Sequence, residues 1–317
     1  MSNAASALDL ICFGEAMVEF VRTESAGTND GDSHATSKVA QPSMYRQGFG
    51  GDTSNAAIAA SRQGARTGYM TAEGADDFGD DLIALWQQEG IDTSAVRRVE
   101  QQETGLYFVR PHASGRHFTY RRAHSAASRY TAADLPLDYI ASSRALHVSA
   151  ISQAISNDMR HAVTKAMQHA HSAGVQVSYD TNLRLQLWTL DDARDCIFEA
   201  LQHADIVFPS DDEGQQLTGK NTDNDIIDAF LDAGPKLVVF SRGERGAIIA
   251  TPGQRVEIPP VTVKAVDSTG AGDAYAGAFL AHYGKHQDPE AAGHAAAAVA
   301  AAVVGGYGAT DPIPYLV

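Results

Sequence analysis

The chain predicts an α/β protein: a mostly parallel sheet with helices on both faces, three layers in all, and a small β-sheet lid. Three observations carry this. From Ala145 onward, short apolar runs alternate with helix-like segments, the order of successive βαβ units. The polar, glycine-rich turns fall just after strands, where open parallel sheets bind ligands. Two hairpin-like stretches interrupt the alternation, and they are assigned together to a lid of about residues 14–49 and 97–122. The 317 residues read as one large domain with this accessory.

Taken in order, Leu8 to Phe13 reads as a buried strand, and Met17 to Arg22 and Ser43 to Phe49 as short lid strands. Gly50-Gly51 opens an Ala-rich helix to about Gln63, stopped by Gly64. A strand at Arg66 to Thr71 and a helix from about Phe78 to Gln88 follow. Thr104 to Pro111 and Arg116 to Arg122 form a hairpin around His112-Ala113-Ser114-Gly115. Strands at Ala145–Ser149, Val175–Tyr179, Ile206–Phe208 and Lys236–Ser241 then alternate with helices near 158–171, 192–200, 211–217 and 224–233. A further strand is expected through Val261, Val263 and Ala265, running into a helix that begins at Ala271.

Composition removes several function classes. The net charge is −15 with dispersed basic residues, which argues against nucleic acid or an anionic membrane as partner. No apolar run reaches the roughly 18 residues of a membrane span. Cys12 and Cys196 make neither a disulfide framework nor a metal motif, as expected of a cytoplasmic protein. Met1-Ser2-Asn3-Ala4 reads as a cloning remnant, outside the fold. There is no Walker-type phosphate loop, no strand–G-x-G-x-x-G–helix unit and no H-E-x-x-H. The scattered histidines (His161, His169, His171, His282 and His286) read as surface or packing residues.

Four segments remain as candidate chemistry. In Asp267-Ser268-Thr269-Gly270-Ala271-Gly272-Asp273, the amides of Gly270, Ala271 and Gly272 face out of a helix start, which attracts anions. Asp273 is out of place in an anion cradle unless it takes a proton from an attacking hydroxyl; alone, the motif reads first as an ordinary helix start with Asp as a capping residue. Gly50-Gly51-Asp52-Thr53-Ser54-Asn55 offers close backbone approach and polar groups for hydroxyls, or a plain glycine turn with Asp52 as cap. Asp180-Thr181-Asn182-Leu183-Arg184 follows a strand, with Arg184 able to hold an anion or to pair with Asp180. Ser241-Arg242-Gly243-Glu244-Arg245-Gly246 fits a turn along a nucleotide or a simple hairpin. On the lid, Tyr107, Tyr120 and Arg121 face a ligand or form a cross-strand aromatic pair with a solvated arginine.

Gly50-Gly51-x-x-x-Asn55-x-Ala57 and Asp267-Ser268-Thr269-Gly270-Ala271-Gly272-Asp273, in that order, resemble the two signatures of ribokinase (PfkB) family sugar kinases. The resemblance spans essentially the whole chain and includes Gly74-x-Asp76-x-Phe78-Gly79. It implies a ribokinase-like three-layer core with a lid, and transfer of the γ-phosphoryl of ATP to a sugar hydroxyl with Mg²⁺. Asp273 is then the base, and Gly270, Ala271 and Gly272 form the anion hole. Gly51, Asp52 and Asn55 bind sugar. Asn182, Arg184, Ser241, Gly243, Gly246, Gly270 and Gly272 meet the nucleotide. Glu213 organises Mg²⁺ through water, although Ser210 stands where the wider family often has Asn. Asp267 and Thr269 fall where many relatives bind a monovalent cation such as K⁺. Relatives often dimerise through the lid, so a homodimer is the expectation.

Asp180-Thr181-Asn182-Leu183-Arg184-x-x-Leu187-Trp188 is similar to 2-keto-3-deoxygluconate kinases and also to fructokinases. The lid segment Thr119-Tyr120-Arg121-x-x-His124-Ser125-Ala126-Ala127-Ser128 leans to the keto-acid kinases, with Thr119 where relatives usually carry a second tyrosine and His124 where they carry glycine. Tyr107, Tyr120, Arg121 and Arg184 would then meet 2-keto-3-deoxygluconate, and two arginines suit its carboxylate. The rival readings are a fructokinase or other sugar kinase of the family, a catalytically silent sugar- or nucleotide-binding regulator, and a dehydrogenase, which lacks its glycine fingerprint.

Overall fold

The computed structural model describes residues 8–23, 43–112 and 115–316. In chain order the elements are β1 Leu10–Phe13, β2 Met17–Thr23, β3 Met44–Gly50, α1 Asp52–Arg62, β4 Thr67–Gly74, α2 Asp77–Gln88, β5 Val96–Val99, β6 Leu106–His112 and β7 Gly115–Arg121. There follow α3 Leu137–Ala141, β8 Ala145–Ser149, α4 Ala150–Ala154, α5 Asn157–Ser172, β9 Gln176–Asp180, α6 Leu190–Leu201, β10 Ile206–Phe208, α7 Asp211–Thr218, α8 Asp223–Asp232 and β11 Leu237–Ser241. The chain closes with β12 Ala247–Thr251, β13 Gln254–Ile258, α9 Ala271–His286 and α10 Pro289–Val304.

Nine strands form one sheet in the order β13-β12-β11-β10-β9-β8-β1-β4-β5, parallel from β11 to β5. Strand parity makes the three layers. Ile11, Phe13, Leu146, Val148, Val207, Val238 and Phe240 enter one core, shared with α5, α6 and α8. Their neighbours Leu10, Cys12, Ala145, Ile206, Phe208, Leu237 and Val239 enter the other, under α1, α2, α9 and α10. Strands apolar on both faces are what a doubly covered parallel sheet requires.

Small residues let two helices of the second layer approach closely. A Cβ added at Gly277 of α9 would lie 2.1 Å from the Ala56 carbonyl of α1. The Ala- and Gly-rich composition of these helices therefore sets the spacing of their N-termini, where two of the candidate motifs stand.

The lid is a second sheet, β3-β2-β6-β7. Its first assigned segment lies partly in residues 24–42, outside the described residues, as does the hairpin tip Ala113-Ser114. Val96–Val99 differs from expectation: it pairs with β4 and belongs to the large sheet, so the second lid segment begins at Leu106. The strand expected through Val261, Val263 and Ala265 is absent. Pro259 and Pro260 end β13, and without their N–H groups they cannot extend the ladder. Val261, Val263 and Val266 are left exposed on an irregular segment. The Ser241–Gly246 turn joins β11 to an antiparallel β12, so the hairpin reading of that motif holds at backbone level.

Candidate active site

The turns after the parallel strands β9, β10 and β11, the starts of α1 and α9, and the lid enclose a cleft of about 1110 Å³. Each turn has a local reason for its shape. At the start of α1, Gly51 has φ 127°, and a Cβ there would meet the Glu15 carbonyl at 2.5 Å, so glycine is demanded. That turn places Asp52 and Asn55 on the first helical turn. At the start of α9, Gly270 has φ 77° and packs on Ala309. Ala271 N–H donates to the Ser268 carbonyl at 3.3 Å, which leaves the next amides, at Gly272 and Asp273, as the outward donors of the helix start.

The two helix starts meet. Asn55 Nδ2 donates to Asp273 Oδ2 at 2.8 Å. Asn182 Nδ2 donates to Asp52 Oδ2 at 3.1 Å, and its own amide donates to Asp180 Oδ1 at 3.1 Å. Glu213 caps α7 in a reciprocal box with Ser210, so serine fills the N-cap role there. Its carboxylate also accepts from Thr181 Oγ1 at 2.8 Å and from the Leu183 amide at 3.0 Å, with Arg184 Nη1 at 3.6 Å.

Asp52, Asp180, Glu213 and Asp273 thus share one wall of the cleft. Burial, reinforced by the charge of Asp52, pushes the Asp273 carboxyl up to about 7, while the Asn55 hydrogen bond and Arg184 pull it down. Burial, then the charges of Glu213 and Asp273, holds Asp180 well above the usual carboxylate range. A carboxylate that titrates near neutrality, at a helix start with outward amides, is suited to accept a proton from a hydroxyl attacking a phosphoryl group.

The lid supplies the opposite wall. Phe118, Tyr120 and Arg122 line the cleft. The pleat turns Arg121 to the other face, where it is exposed and donates to the Tyr120 carbonyl at 3.0 Å. The expectation for Arg121 is therefore corrected to its neighbour. The strand parity that paired Tyr107 with Tyr120 already pointed two positions on, to Arg122. Tyr107 also lines the cleft, but its hydroxyl donates to Glu19 Oε2 at 2.8 Å. His124, where glycine was expected, holds φ 69°, the left-handed conformation glycine adopts freely. Sequence reasoning also missed Glu15, which sits in the cleft and pairs with Arg122.

Of the residues expected to meet a nucleotide, Ser241, Gly270, Gly272, Asn182 and Arg184 line the cleft. Gly243 and Gly246 lie in the adjoining turn, with Gly246 at φ 81°. Asp267 organises its loop: Oδ1 accepts from the Thr269 amide at 3.0 Å and Oδ2 from the Gly308 amide at 3.2 Å. Among the described residues, no group of three His, Cys, Asp or Glu side chains could hold a metal alone, and no helix is long and apolar enough to cross a membrane.

A three-layered α/β core with a lidded polar cleft suits an enzyme acting on a small molecule, and comparison with known proteins gives the class. A family model described as pfkB family carbohydrate kinase matches residues 7–316. The chain belongs to the pfkB family of carbohydrate kinases and is a phosphotransferase acting on a sugar hydroxyl. It is 33% identical over 280 residues to Fructokinase-2 of Oryza sativa subsp. japonica, covering 87% of this chain and 80% of the relative. It is equally 33% identical over 274 residues to 2-dehydro-3-deoxygluconokinase of Bacillus subtilis (strain 168), covering 85% and 81%. A crystal structure of a putative Ribokinase II from E. coli, in complex with ATP and Mg²⁺, aligns over 96% of each chain at a TM-score of 0.85 and 26% identity.

Proposed function

We propose that this sugar kinase phosphorylates 2-keto-3-deoxygluconate at its terminal hydroxyl, with ATP as donor and Mg²⁺ as cofactor. The observation that carries the phosphotransfer half is Asp273, half-buried at the start of α9 with its carboxyl raised to about 7 and oriented by Asn55. In the reaction, Asp273 accepts the proton of the attacking hydroxyl, and the amides of Gly272 and Asp273 face the transferred phosphoryl group. Asp52 and Asn55 orient the sugar, and the Ser241 turn lies along the nucleotide. Mg²⁺ fits as a phosphate-held ion: both Glu213 carboxylate oxygens already accept protein donors, which leaves room for water-mediated contact rather than a closed protein cage. When bound, the ion offsets the negative charge that the triphosphate adds to this acidic wall.

The sugar assignment rests on two arginines in one cleft, Arg122 on the lid and Arg184 after β9. A substrate carboxylate is the group two such forks recognise. One observation favours a second reading, fructose: Arg122 is already paired with Glu15, which leaves Arg184 as the less engaged cation. A turnover panel with ATP, Mg²⁺ and 2-keto-3-deoxygluconate, fructose, ribose or adenosine decides between them. The highest kcat/KM is expected with 2-keto-3-deoxygluconate; fructose as best substrate overturns the sugar assignment.

A further inference from the structure

We propose that Glu15 sets the choice between acidic and neutral sugars, because it holds Arg122 and an incoming carboxylate has to share that guanidinium with it. The inference deepens the sugar-kinase reading above and rests on it.

Glu15 lies in the turn between β1 and β2 and is 2% exposed. Its carboxylate accepts from Arg122 Nη2 and, at 3.4 Å, from Ser125 Oγ. Arg122 follows the last lid strand, so this pair joins the lid to the core in the wall of the cleft. The guanidinium stands 5.5 Å from the Tyr120 ring centroid. Its Nε is buried with no hydrogen-bond partner among the described residues. One part of the fork is therefore engaged by Glu15, and another donor is unmet. A guanidinium presents five N–H donors and can serve two carboxylates at once.

The charged groups that act on Glu15 come from three elements. Arg122 comes from the lid, Asp52 from α1 and Glu73 from β4, and only the first is cationic. A sugar carboxylate that binds Arg122 joins Glu15 on the same guanidinium, in a buried setting where like charges repel far more than in water. A neutral ketose brings no such charge, and its hydroxyls can donate to the remaining Glu15 lone pairs. Glu15 thus disfavours the acid and favours the neutral sugar, whichever of them the rest of the cleft prefers.

The test compares wild type with Glu15→Gln, which keeps an oxygen acceptor for Arg122 and removes the charge. The readout is kcat/KM for 2-keto-3-deoxygluconate divided by kcat/KM for the best neutral sugar of the panel. This ratio is independent of how much of the variant folds. It is expected to rise roughly tenfold, the equivalent of one unfavourable charge contact. If wild type does not turn over the acid, the substrate assignment fails by itself. The acid's Ki against phosphorylation of the neutral sugar then serves as the readout, and Glu15→Gln should lower it by a similar factor. A purely structural Glu15 would depress both sugars alike. An unchanged or lowered ratio, or an unchanged Ki, overturns the proposal.

Discussion

Asn55 Nδ2 and Asp273 Oδ2 lie 2.8 Å apart although 218 positions separate the residues in sequence. This bond ties the two glycine-rich motifs into one site, and it exists because α1 and α9 pack through small residues. It also opposes the burial that raises the Asp273 carboxyl to about 7. The base must be unprotonated to act, so kcat/KM should rise with pH through about 7 and level off above. Asn55→Ala removes a bond that favours the charged form and should move that midpoint upward. A pH profile that is flat across neutrality contradicts both statements.

The lid arginines separate by parity. Arg122→Ala should raise KM for the acidic sugar by at least about tenfold, since a hydrogen bond to a charged group is worth about 1.5–3 kcal/mol. Arg121→Ala should leave KM within about twofold, as expected for an exposed residue away from the site. Steady-state kinetics on the two variants checks this, and equal effects would remove the assignment of Arg122 to the cleft wall.

How far the sequence went is clear from such residues. Parallel strands, their helices and the cleft turns were legible because apolar runs, caps and glycines are local signals. Arg121 was taken from the lid motif, whose order does not report which face of a strand a side chain takes. Glu15 left no local mark: it sits in a short turn, and only the fold brings it to Arg122. Val96–Val99 looked like lid because a four-residue strand does not specify its partner. The strand expected at Val261 failed for a reason that was visible, the two prolines before it.

The two glycines of the α9 start should respond differently to alanine. Gly270→Ala places a Cβ 2.6 Å from the Ala309 Cβ, at φ 77°, and should cost about 1–3 kcal/mol, read as a drop of several degrees in Tm. At Gly272, a Cβ meets nothing within 4 Å, so Tm should hold. That space is the cleft beside the anion-facing amides, so Gly272→Ala should instead raise KM for ATP. Thermal unfolding and ATP kinetics on both variants test the contrast.

Glu73 is fully buried, and neither carboxylate oxygen has a hydrogen-bond partner among the described residues. Burial, with Glu15 and Asp76 nearby, holds its carboxyl well above the usual carboxylate range. Its folded pKa is raised, so above pH 4.5 the folded state binds more protons than the unfolded state. Stability is therefore lost as pH rises from about 4.5 toward the folded value. Glu73→Gln should raise Tm at pH 8 by at least ~2 °C and change it little at pH 4.5. An equal shift at both pH values contradicts the buried neutral acid.

The proposed role of Asp273 as the base underlies the whole reaction. It is tested most directly by the rate of sugar phosphorylation by Asp273→Asn at saturating ATP and Mg²⁺, measured beside wild type. Asparagine keeps the size and a hydrogen-bonding partner for Asn55 but cannot take the proton. The expected result is a fall in kcat of at least ~10²-fold with KM for the sugar largely kept. Near-normal turnover in this variant would show that another group takes the proton.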